Sequence, residues 1–250
     1  MNDRNLPDGV TVTPQTLPMV TARSGKLIDI SLELNEKTFK MQVLEGFKRD
    51  MQFELEVMKE HDGKGLGQMV RGVHMRLHAG SHIDAFEHFV KGGKQVHELP
   101  LDLFVGECVV ADFSDKLPAK GISAAELEER VGPKLKPGDR LLIRTDCNDR
   151  YLEMELDAWK KTTPWIEPDG LHWIIDKGIK LLGVDFFHGA KNPKVGREGA
   201  LSEVLLKHSV VVLSYIQNLH LITKDRVTLM CLPLKIVGAE ASPLRAVVIE

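Results

Sequence analysis

The chain has 250 residues, of which 43% are hydrophobic and 28% are charged, and its formal net charge at pH 7 is −3. These values are typical of a globular protein with one substantial core. The near balance of charge gives no reason to expect nucleic acid or an anionic membrane as a partner. The first residues lack the pattern of a secretory signal, and no apolar run approaches the roughly 20 residues of a membrane span. We therefore expect a cytoplasmic protein with no membrane partner.

The three cysteines are far apart in the chain, and no CxxC spacing occurs. This pattern indicates neither a zinc ribbon nor a disulfide framework. Cys108 and Cys231 lie in apolar runs and are predicted to be core residues. Cys147 lies in the polar sequence TDCND, which predicts a loop, and it is the candidate for a reactive thiol.

The N-terminal half begins with a polar stretch that contains three prolines, and we predict an N-terminal arm over residues 1–25. Residues 26–250 are predicted to form one domain, since no composition shift divides them. The first strand is predicted over residues 26–32, and strands or a hairpin are expected within residues 35–68. The glycines at 62–67 predict a turn, and their spacing matches no phosphate-binding loop.

Apolar strands alternate with helices through the rest of the chain. A helix is predicted over residues 123–131, with Ser123 and Glu126 forming a capping box. Two more helices are predicted over residues 169–177 and 201–207. The predicted strands cover residues 73–77, 104–113, 140–145, 179–184, 209–213, 226–232, 233–237 and 245–249. This order predicts an α/β fold with some parallel strands.

The sequence HAGSHIDAFEH, residues 78–88, combines three histidines with two carboxylates. His78, Gly80, His82 and Asp84 share one parity, so an extended backbone would place them on one face. Imidazole nitrogen and carboxylate oxygen are ligands for zinc, manganese and ferrous iron. The pattern predicts a metal site, with His88 left for proton transfer. The alternative is a polar loop whose histidines are hydrogen-bonded.

Residues 78–101, HAGSHIDAFEHFVKGGKQVHELPL, resemble the signature of the cyclase family of metal-dependent hydrolases, which includes kynurenine formamidase and isatin hydrolase. Three further segments resemble the family in matching order. They are KPGDRLLIRT, DGLHWIIDKGIKLLGVD and LPLKIVGAEASPLRAVVIE. The resemblance covers residues 26–250.

The resemblance implies a single swivelling β/β/α domain that assembles as a homodimer or homotetramer. It assigns His78, His82 and Asp84 as metal ligands and His88 as the catalytic acid/base. The expected reaction is hydrolysis of an amide or lactone bond of a small molecule by a water that zinc or manganese activates.

Two family ligands in the C-terminal half are replaced by hydroxyls, Ser202 and Ser214, where the family has His and Glu. Neutral hydroxyls are poor ligands beside imidazole and carboxylate, so one ion is expected rather than two. Phe86 stands where the family has Pro, and its ring is expected beside Asp84, where it could narrow the pocket. His188 stands at a family Ser position as a replacement ligand, a substrate contact or a hydrogen-bonded loop residue. Glu203, Glu198 and His208 are near enough to replace the lost ligands but are expected at the surface.

Two other functions are compatible with these replacements. One is a metal-independent cyclase, dehydratase or isomerase on the same fold, in which the histidines and Asp84 act as plain acids and bases. The other is a non-catalytic paralogue. Among the aromatic residues, Trp173 is expected in the core, whereas Phe186 and Phe187 follow a strand end, where ligands often bind in α/β folds.

Overall fold

The computed structural model describes residues 25–35, 53–61, 67–151, 159, 161–188 and 200–250. The predicted N-terminal arm lies outside these residues apart from its last position, as does most of the predicted turn at 62–67. Residues 36–52 of the region 35–68, where strands or a hairpin are expected, also lie outside them. The division into an arm and one domain therefore stays a prediction. No helix among the described residues is long and apolar enough to span a bilayer.

The described strands are numbered in chain order. They are β1 (Leu27–Asp29), β2 (Glu54–Lys59), β3 (Val70–His74), β4 (His82–Asp84), β5 (Val105–Asp112), β6 (Gly121–Ile122), β7 (Arg140–Arg144), β8 (Trp165–Ile166), β9 (Leu181–Val184), β10 (Val211–Ser214), β11 (Arg226–Met230), β12 (Ala241–Pro243) and β13 (Val247–Ile249). The described helices are α1 (Ala124–Val131), α2 (Cys147–Tyr151), α3 (Pro168–Asp176) and α4 (Leu201–Lys207).

Nine of these strands form one mixed sheet in the order β1-β13-β11-β5-β7-β9-β10-β4-β12. Its centre is parallel, because β5 pairs with β7, β7 with β9, and β9 with β10 in parallel register. The flanking pairs are antiparallel, including those that β4 makes with β10 and β12. The mixed α/β class with parallel strands, predicted from the sequence, is confirmed.

The two faces of the sheet have separate apolar cores. In β7, Leu141 and Ile143 belong to the core that α1, α3 and α4 cover, whereas Leu142 belongs to the opposite core. Ile83 of β4 also lies in the opposite core. Because side chains alternate across a strand, its neighbours His82 and Asp84 face the helices.

The predicted capping box is present at the start of α1. The Ser123 side chain accepts the Glu126 backbone N–H, and the Glu126 side chain accepts that of Ser123. Leu127 and Val131, on one side of this helix, are buried against the sheet. Local capping and burial on one face both favour this helix, which explains why its bounds follow from sequence.

Two predicted strands differ from the structure. Residues 73–77 are not a strand leading into the histidine cluster, because β3 ends at His74 and pairs with β2 in a separate hairpin. The predicted strand over 233–237 is wrong. Pro233 has no N–H to donate, and Val237 is 77% exposed. The strand that follows, β12, pairs with β4 instead.

Asp139, in the turn before β7, is a buried carboxylate with three donors. Arg226 donates to it from Nη1 at 3.1 Å and Nη2 at 2.7 Å, and the Lys136 backbone N–H donates at 2.8 Å. Burial alone would raise the pKa of Asp139, but the bonds to Arg226 and Lys136 hold it below the usual value. The folded-state pKa is thus below the unfolded one, so the resulting stability is present above about pH 4 and lost as the pH falls through the folded pKa.

We expect the Asp139→Asn variant to lose about 2 kcal/mol of unfolding free energy at pH 7, because Arg226 loses its buried carboxylate partner and keeps only the exposed Glu107 at 3.4 Å. Urea unfolding from pH 7 to pH 3 should show the difference from the native protein shrinking. Asp102→Asn, which removes an exposed partner of Lys180, is the control and should leave the midpoint unchanged. A difference that stays constant with pH would contradict the linkage.

Candidate active site

The candidate site is built on β4, which lies between β10 and β12 near one edge of the sheet. His82 is opposite Ser214 of β10 and Pro243 of β12. Asp84 is opposite Val212 on one side. Both His82 and Asp84 are 2% exposed, so the carboxylate is held in a site with little water.

His78 reaches the site from a turn, because strand geometry covers only residues 82–84. The parity argument, which requires an extended backbone, therefore applies to residues 82–84 and not to residues 78–81. Gly80 has φ +57°, and a Cβ there would overlap the Leu34 side chain. Ser81 anchors the turn, since its Oγ donates to the Tyr215 carbonyl at 2.7 Å and accepts the Leu32 N–H at 2.8 Å. This turn folds His78 back over β4.

The structure brings the three predicted ligands together. His78 Nδ1 lies 2.9 Å from Asp84 Oδ1, and His82 Nε2 lies 3.2 Å from the same oxygen. One ligand atom from each of His78, His82 and Asp84 lies within 4.8 Å of the others. His82 Nδ1 lies 2.8 Å from the Gly80 carbonyl and must donate to it, so Nε2 is the ring nitrogen that faces the site. Two imidazoles and one carboxylate fit zinc, manganese or ferrous iron.

The acidic and basic groups in the site shift one another's pKa values. Burial alone would raise the pKa of Asp84, but the charge of His82 and the hydrogen bonds from both histidines hold it well below its usual range. Burial would likewise lower the pKa of His78, but its bonds to Asp84 and Glu240 raise it to about 9. His78 is therefore protonated on both ring nitrogens at neutral pH, and an ion that binds Nδ1 must displace the proton there.

Glu240 is a functional candidate that the sequence does not reveal. Its Oε1 lies 3.1 Å from His78 Nε2, across a sequence separation of 162 residues. It immediately precedes β12, and its carbonyl accepts the Ala85 N–H at 2.8 Å, which ties it to the end of β4. Since no local motif marks it, only the pairing of β12 with β4 places this carboxylate behind His78.

His88 lies beside the cluster at the end of a short 3₁₀ turn, Phe86–His88. Its ring centroid is 4.4 Å from that of His78 and 4.3 Å from that of Phe89. Burial lowers the pKa of His88, so the ring is neutral at pH 7 and can accept a proton. Phe86 lies two residues after Asp84 in sequence, and its ring packs against both apolar cores. The ring therefore contributes to the packing of the fold.

Ser202 and Ser214 both meet His188, the residue that the sequence left with several possible roles. His188 Nε2 lies 2.7 Å from Ser214 Oγ, and His188 Nδ1 lies 3.2 Å from Ser202 Oγ. Ser202, on α4, also donates to Asp84 Oδ2 at 3.3 Å. Removal from water lowers the pKa of His188 to about 4, against the opposing charge of Asp84. His188 is therefore a neutral, hydrogen-bonded imidazole next to the three predicted ligands.

Tyr215 has an unusual backbone conformation that the sequence does not indicate. Its φ is +57°, a left-handed value that is rare for an aromatic residue. Its ring stacks on His188 at a centroid distance of 5.5 Å and lies 5.6 Å from His82. The ring also packs on Phe187 and Trp159 in the core that α1, α3 and α4 cover, the helix-side core. Contacts between aromatic side chains therefore continue from this core to the site.

Other aromatic and polar candidates have structural roles. Phe186 and Phe187 are both buried in the helix-side core. Trp173 is only partly buried against this core and donates from Nε1 to Glu128 at 2.8 Å. Glu203 pairs with Lys207, and His208 bonds the Val204 carbonyl, so neither reaches the cluster. Glu198 lies outside the described residues.

A second group of possible ligands, Asp146, Asp149 and His220, lies away from this site. Asp146 is already paired with Arg144 at 2.7 Å and with Arg150 at 3.4 Å. A cation would have to compete with both guanidinium groups for Asp146, so this group is explained by its ion pairs.

Cys147 does not lie in a polar loop. It is buried at the start of α2, and burial raises the pKa of its thiol to about 12. Because the thiolate is the reactive form, we expect no thiol of the native protein to react with a disulfide reagent within minutes, since Cys108 and Cys231 are buried as well. Reaction of all three thiols in guanidinium is the control. One rapidly reacting thiol in the native protein would contradict this expectation.

Comparison with known proteins agrees with the geometry. Residues 28–189 match the family model described as "Putative cyclase". A kynurenine formamidase from Bacillus anthracis is 31% identical over 229 residues, which cover 90% of this chain and 98% of that protein. A kynurenine formamidase from Erythrobacter litoralis is 28% identical over 193 residues, covering 77% of this chain and 81% of that protein.

Solved structures share the fold at lower identity. An isatin hydrolase bound to the product analogue thioisatinate has a TM-score of 0.77 and 20% identity, with 90% of this chain and 92% of that chain covered. Isatin hydrolase A from Ralstonia solanacearum has a TM-score of 0.78 and 21% identity, with coverage of 96% and 99%. The architecture described above is thus the fold of these structures, in agreement with the fold expected from the sequence.

Proposed function

The chain belongs to the cyclase family, and on that premise we propose that it is a metal-dependent hydrolase that cleaves an amide bond of a small molecule. The observation that carries the proposal is the convergence of His78, His82 and Asp84 on one point, with the His88 ring against His78. The names of the relatives, kynurenine formamidase and isatin hydrolase, support the same class of reaction.

The donor set supports one divalent ion, zinc or manganese, held by His78, His82 and Asp84. Three protein ligands with open positions are typical of catalytic sites. Ser202 and Ser214 add only neutral hydroxyls on the far side of Asp84, where a second ion would need anionic ligands. The proposal is therefore a single-ion enzyme.

The bound ion would polarise the substrate carbonyl and make a water molecule more acidic. The protein supplies the proton transfer. His88 is neutral at pH 7, so one of its ring nitrogens can take a proton from the attacking water and return it to the departing nitrogen. Glu240, bonded to His78 Nε2, orients that ring so that Nδ1 faces the other ligands.

We propose an N-formyl aromatic amine or a lactam as the substrate, with a lactone as the related ester. The relatives' names support an aromatic group next to the scissile bond.

The test is a panel of N-formyl aromatic amines, lactams and lactones assayed with added zinc, with added manganese and after chelation. We expect hydrolysis of at least one amide, its loss on chelation, and its return with one of the ions. Metal analysis of the active protein should give one ion per chain. The proposal fails if the purified protein retains no ion and no member of the panel is hydrolysed with either metal.

A second candidate, a metal-independent enzyme, is favoured by one observation. His78 bonds the carboxylate of Asp84 through Nδ1 and that of Glu240 through Nε2. Both ring nitrogens therefore have hydrogen-bond partners without an ion, and the protonated ring could act as an acid. Turnover that chelation leaves unchanged would support this candidate over the hydrolase.

We also propose that the protein assembles as a homodimer or a homotetramer of such dimers. The hairpin of β2 and β3 carries exposed apolar residues on one face, with Leu55 and Val73 each 50% exposed and directly paired. A two-stranded hairpin is at best marginally stable in water by itself. Burial of this face against a second copy would stabilise it, since apolar residues have no other cover among the described parts of the chain.

We expect the Leu55→Glu variant to shift the sedimentation coefficient of the native assembly to that of a smaller species. The reason is that burying an unpaired charged group in an apolar contact is costly. Val237→Glu, at a site that is 77% exposed, is the matched control and should keep the native assembly. A native protein that sediments as a monomer would contradict the assembly.

A further inference from the structure

Four side chains form a continuous line of hydrogen bonds that ends on Asp84. The line runs from Ser214 Oγ to His188 Nε2 at 2.7 Å, and from His188 Nδ1 to Ser202 Oγ at 3.2 Å. Ser202 Oγ then reaches Asp84 Oδ2 at 3.3 Å. The four residues come from β10, the segment after β9, α4 and β4, so tertiary structure alone assembles them.

The donor and the acceptor of each hydrogen bond follow from the bond between Ser202 and Asp84. Asp84 is ionised and can only accept, so the single hydroxyl proton of Ser202 points at Oδ2. Ser202 Oγ must then accept from His188 Nδ1–H. With Nδ1 as the donor, Nε2 of the same ring is available to accept from the Ser214 hydroxyl, 2.7 Å away. Every donor along the line points towards the carboxylate, and both nitrogens of His188 are in use.

The two oxygens of Asp84 consequently have separate partners. Oδ1 faces His78 at 2.9 Å and His82 at 3.2 Å, whereas Oδ2 faces Ser202. A carboxylate that is fixed at one oxygen cannot rotate freely about its last bond, so the other oxygen keeps its direction.

We propose that His188 is a positioning residue, which acts through Ser202 to hold Asp84 Oδ2 and thereby keeps Oδ1 directed at the ion between His78 and His82. This inference rests on the proposed metal-dependent function. His188 itself is not a ligand, because its nitrogens are occupied by Ser202 and Ser214. Stacking on Tyr215, with ring planes 29° apart, keeps its ring in the plane that both bonds require.

The test measures Mn²⁺ affinity by calorimetry and the visible spectrum of the Co²⁺-loaded protein. We expect Ser202→Ala and His188→Phe, which keeps an aromatic ring on Tyr215, each to weaken Mn²⁺ binding about tenfold and to shift the Co²⁺ bands. Because the residues act in series, the double variant should be no weaker than the worse single variant. Ser202→Thr keeps the hydroxyl and should bind as the native protein does.

Ser242→Ala is the matched control, since Ser242 is equally buried on neighbouring β12 but bonds the Leu234 N–H and the Pro243 carbonyl. It should leave affinity and spectrum unchanged. Circular dichroism verifies that each variant is folded, and Ser214→Ala, at the far end of the line, provides a milder second variant. If the native protein binds Mn²⁺ and the Ser202→Ala and His188→Phe variants show the same affinity and the same Co²⁺ spectrum, the positioning role alone is overturned. A native protein that binds neither ion would overturn the proposed function and this inference together.

Discussion

Replacement of Asp84 by Asn is expected to abolish detectable hydrolysis and to weaken Mn²⁺ or Zn²⁺ binding by well over the roughly 10–100-fold typical of residues that only support a ligand. Asp84 is the one anionic residue among the three predicted ligands, and its Oδ1 lies within 3.2 Å of nitrogen atoms of both histidines. An amide oxygen has the same size but lacks the charge that offsets a divalent ion.

The variant should remain folded, because the substitution preserves shape and His78 keeps Glu240 as a carboxylate partner. We expect a loss of about 1–3 kcal/mol of unfolding free energy from the hydrogen bonds at this buried position. Calorimetric titration with each ion, followed by an activity assay at saturating metal, measures both effects. Asp102→Asn, at the exposed ion pair with Lys180, is the control and should bind the ion normally. An Asp84→Asn protein with native affinity would show that the ion binds elsewhere.

The part of the site that could be predicted from sequence is the part that is local. His82 and Asp84 are two residues apart on a strand, so the alternation of side chains places them on one face without further information. The same parity argument covers His78 only if the chain is extended from residue 78, and the strand begins at His82. A positive φ at Gly80 turns the chain there, and Ser81 holds the turn through bonds to the distant residues Leu32 and Tyr215.

The rest of the site depends on sheet order, which no local pattern contains. Glu240 reaches His78 because β12 pairs with β4, and Ser214 lies opposite His82 because β10 pairs with its other side. His188 and Ser202 meet only after α4 packs on β10. The resemblance to the cyclase family marked Ser202 and Ser214 as replacements, but it could not show that both would bond to His188.

In the fold, as in the site, local features could be predicted from sequence and long-range strand pairing could not. The helix at Ala124–Val131 was predicted with its cap because Ser123 and Glu126 are three residues apart, and such bonds form within one turn. The strand predicted at 233–237 failed because apolar composition favours a strand only where a partner strand is available. The available partner, β4, pairs with Ala241–Pro243 instead.

Replacement of His88 by Ala is expected to lower kcat by about 10²–10⁴-fold while leaving metal affinity within the error of the measurement. The His88 ring lies against the His78 ring at a centroid distance of 4.4 Å, and His88 is not in the group of side chains whose ligand atoms converge. Amide hydrolysis needs a proton on the departing nitrogen, and the neutral imidazole of His88 is placed to carry it. The ratio of the two effects therefore separates proton transfer from metal binding.

Two further measurements make this prediction sharp. Added imidazole should restore part of the activity to His88→Ala, because a free base can enter the space that the side chain leaves. His208→Ala, which removes an exposed histidine bonded to the Val204 carbonyl, is the matched control and should retain native kcat. If His88→Ala lost its ion along with its activity, His88 would be a ligand or a support of one. If it kept native kcat, another group would carry the proton, and the carboxylate of Glu240, which bonds His78 from the other side, would be the next to replace.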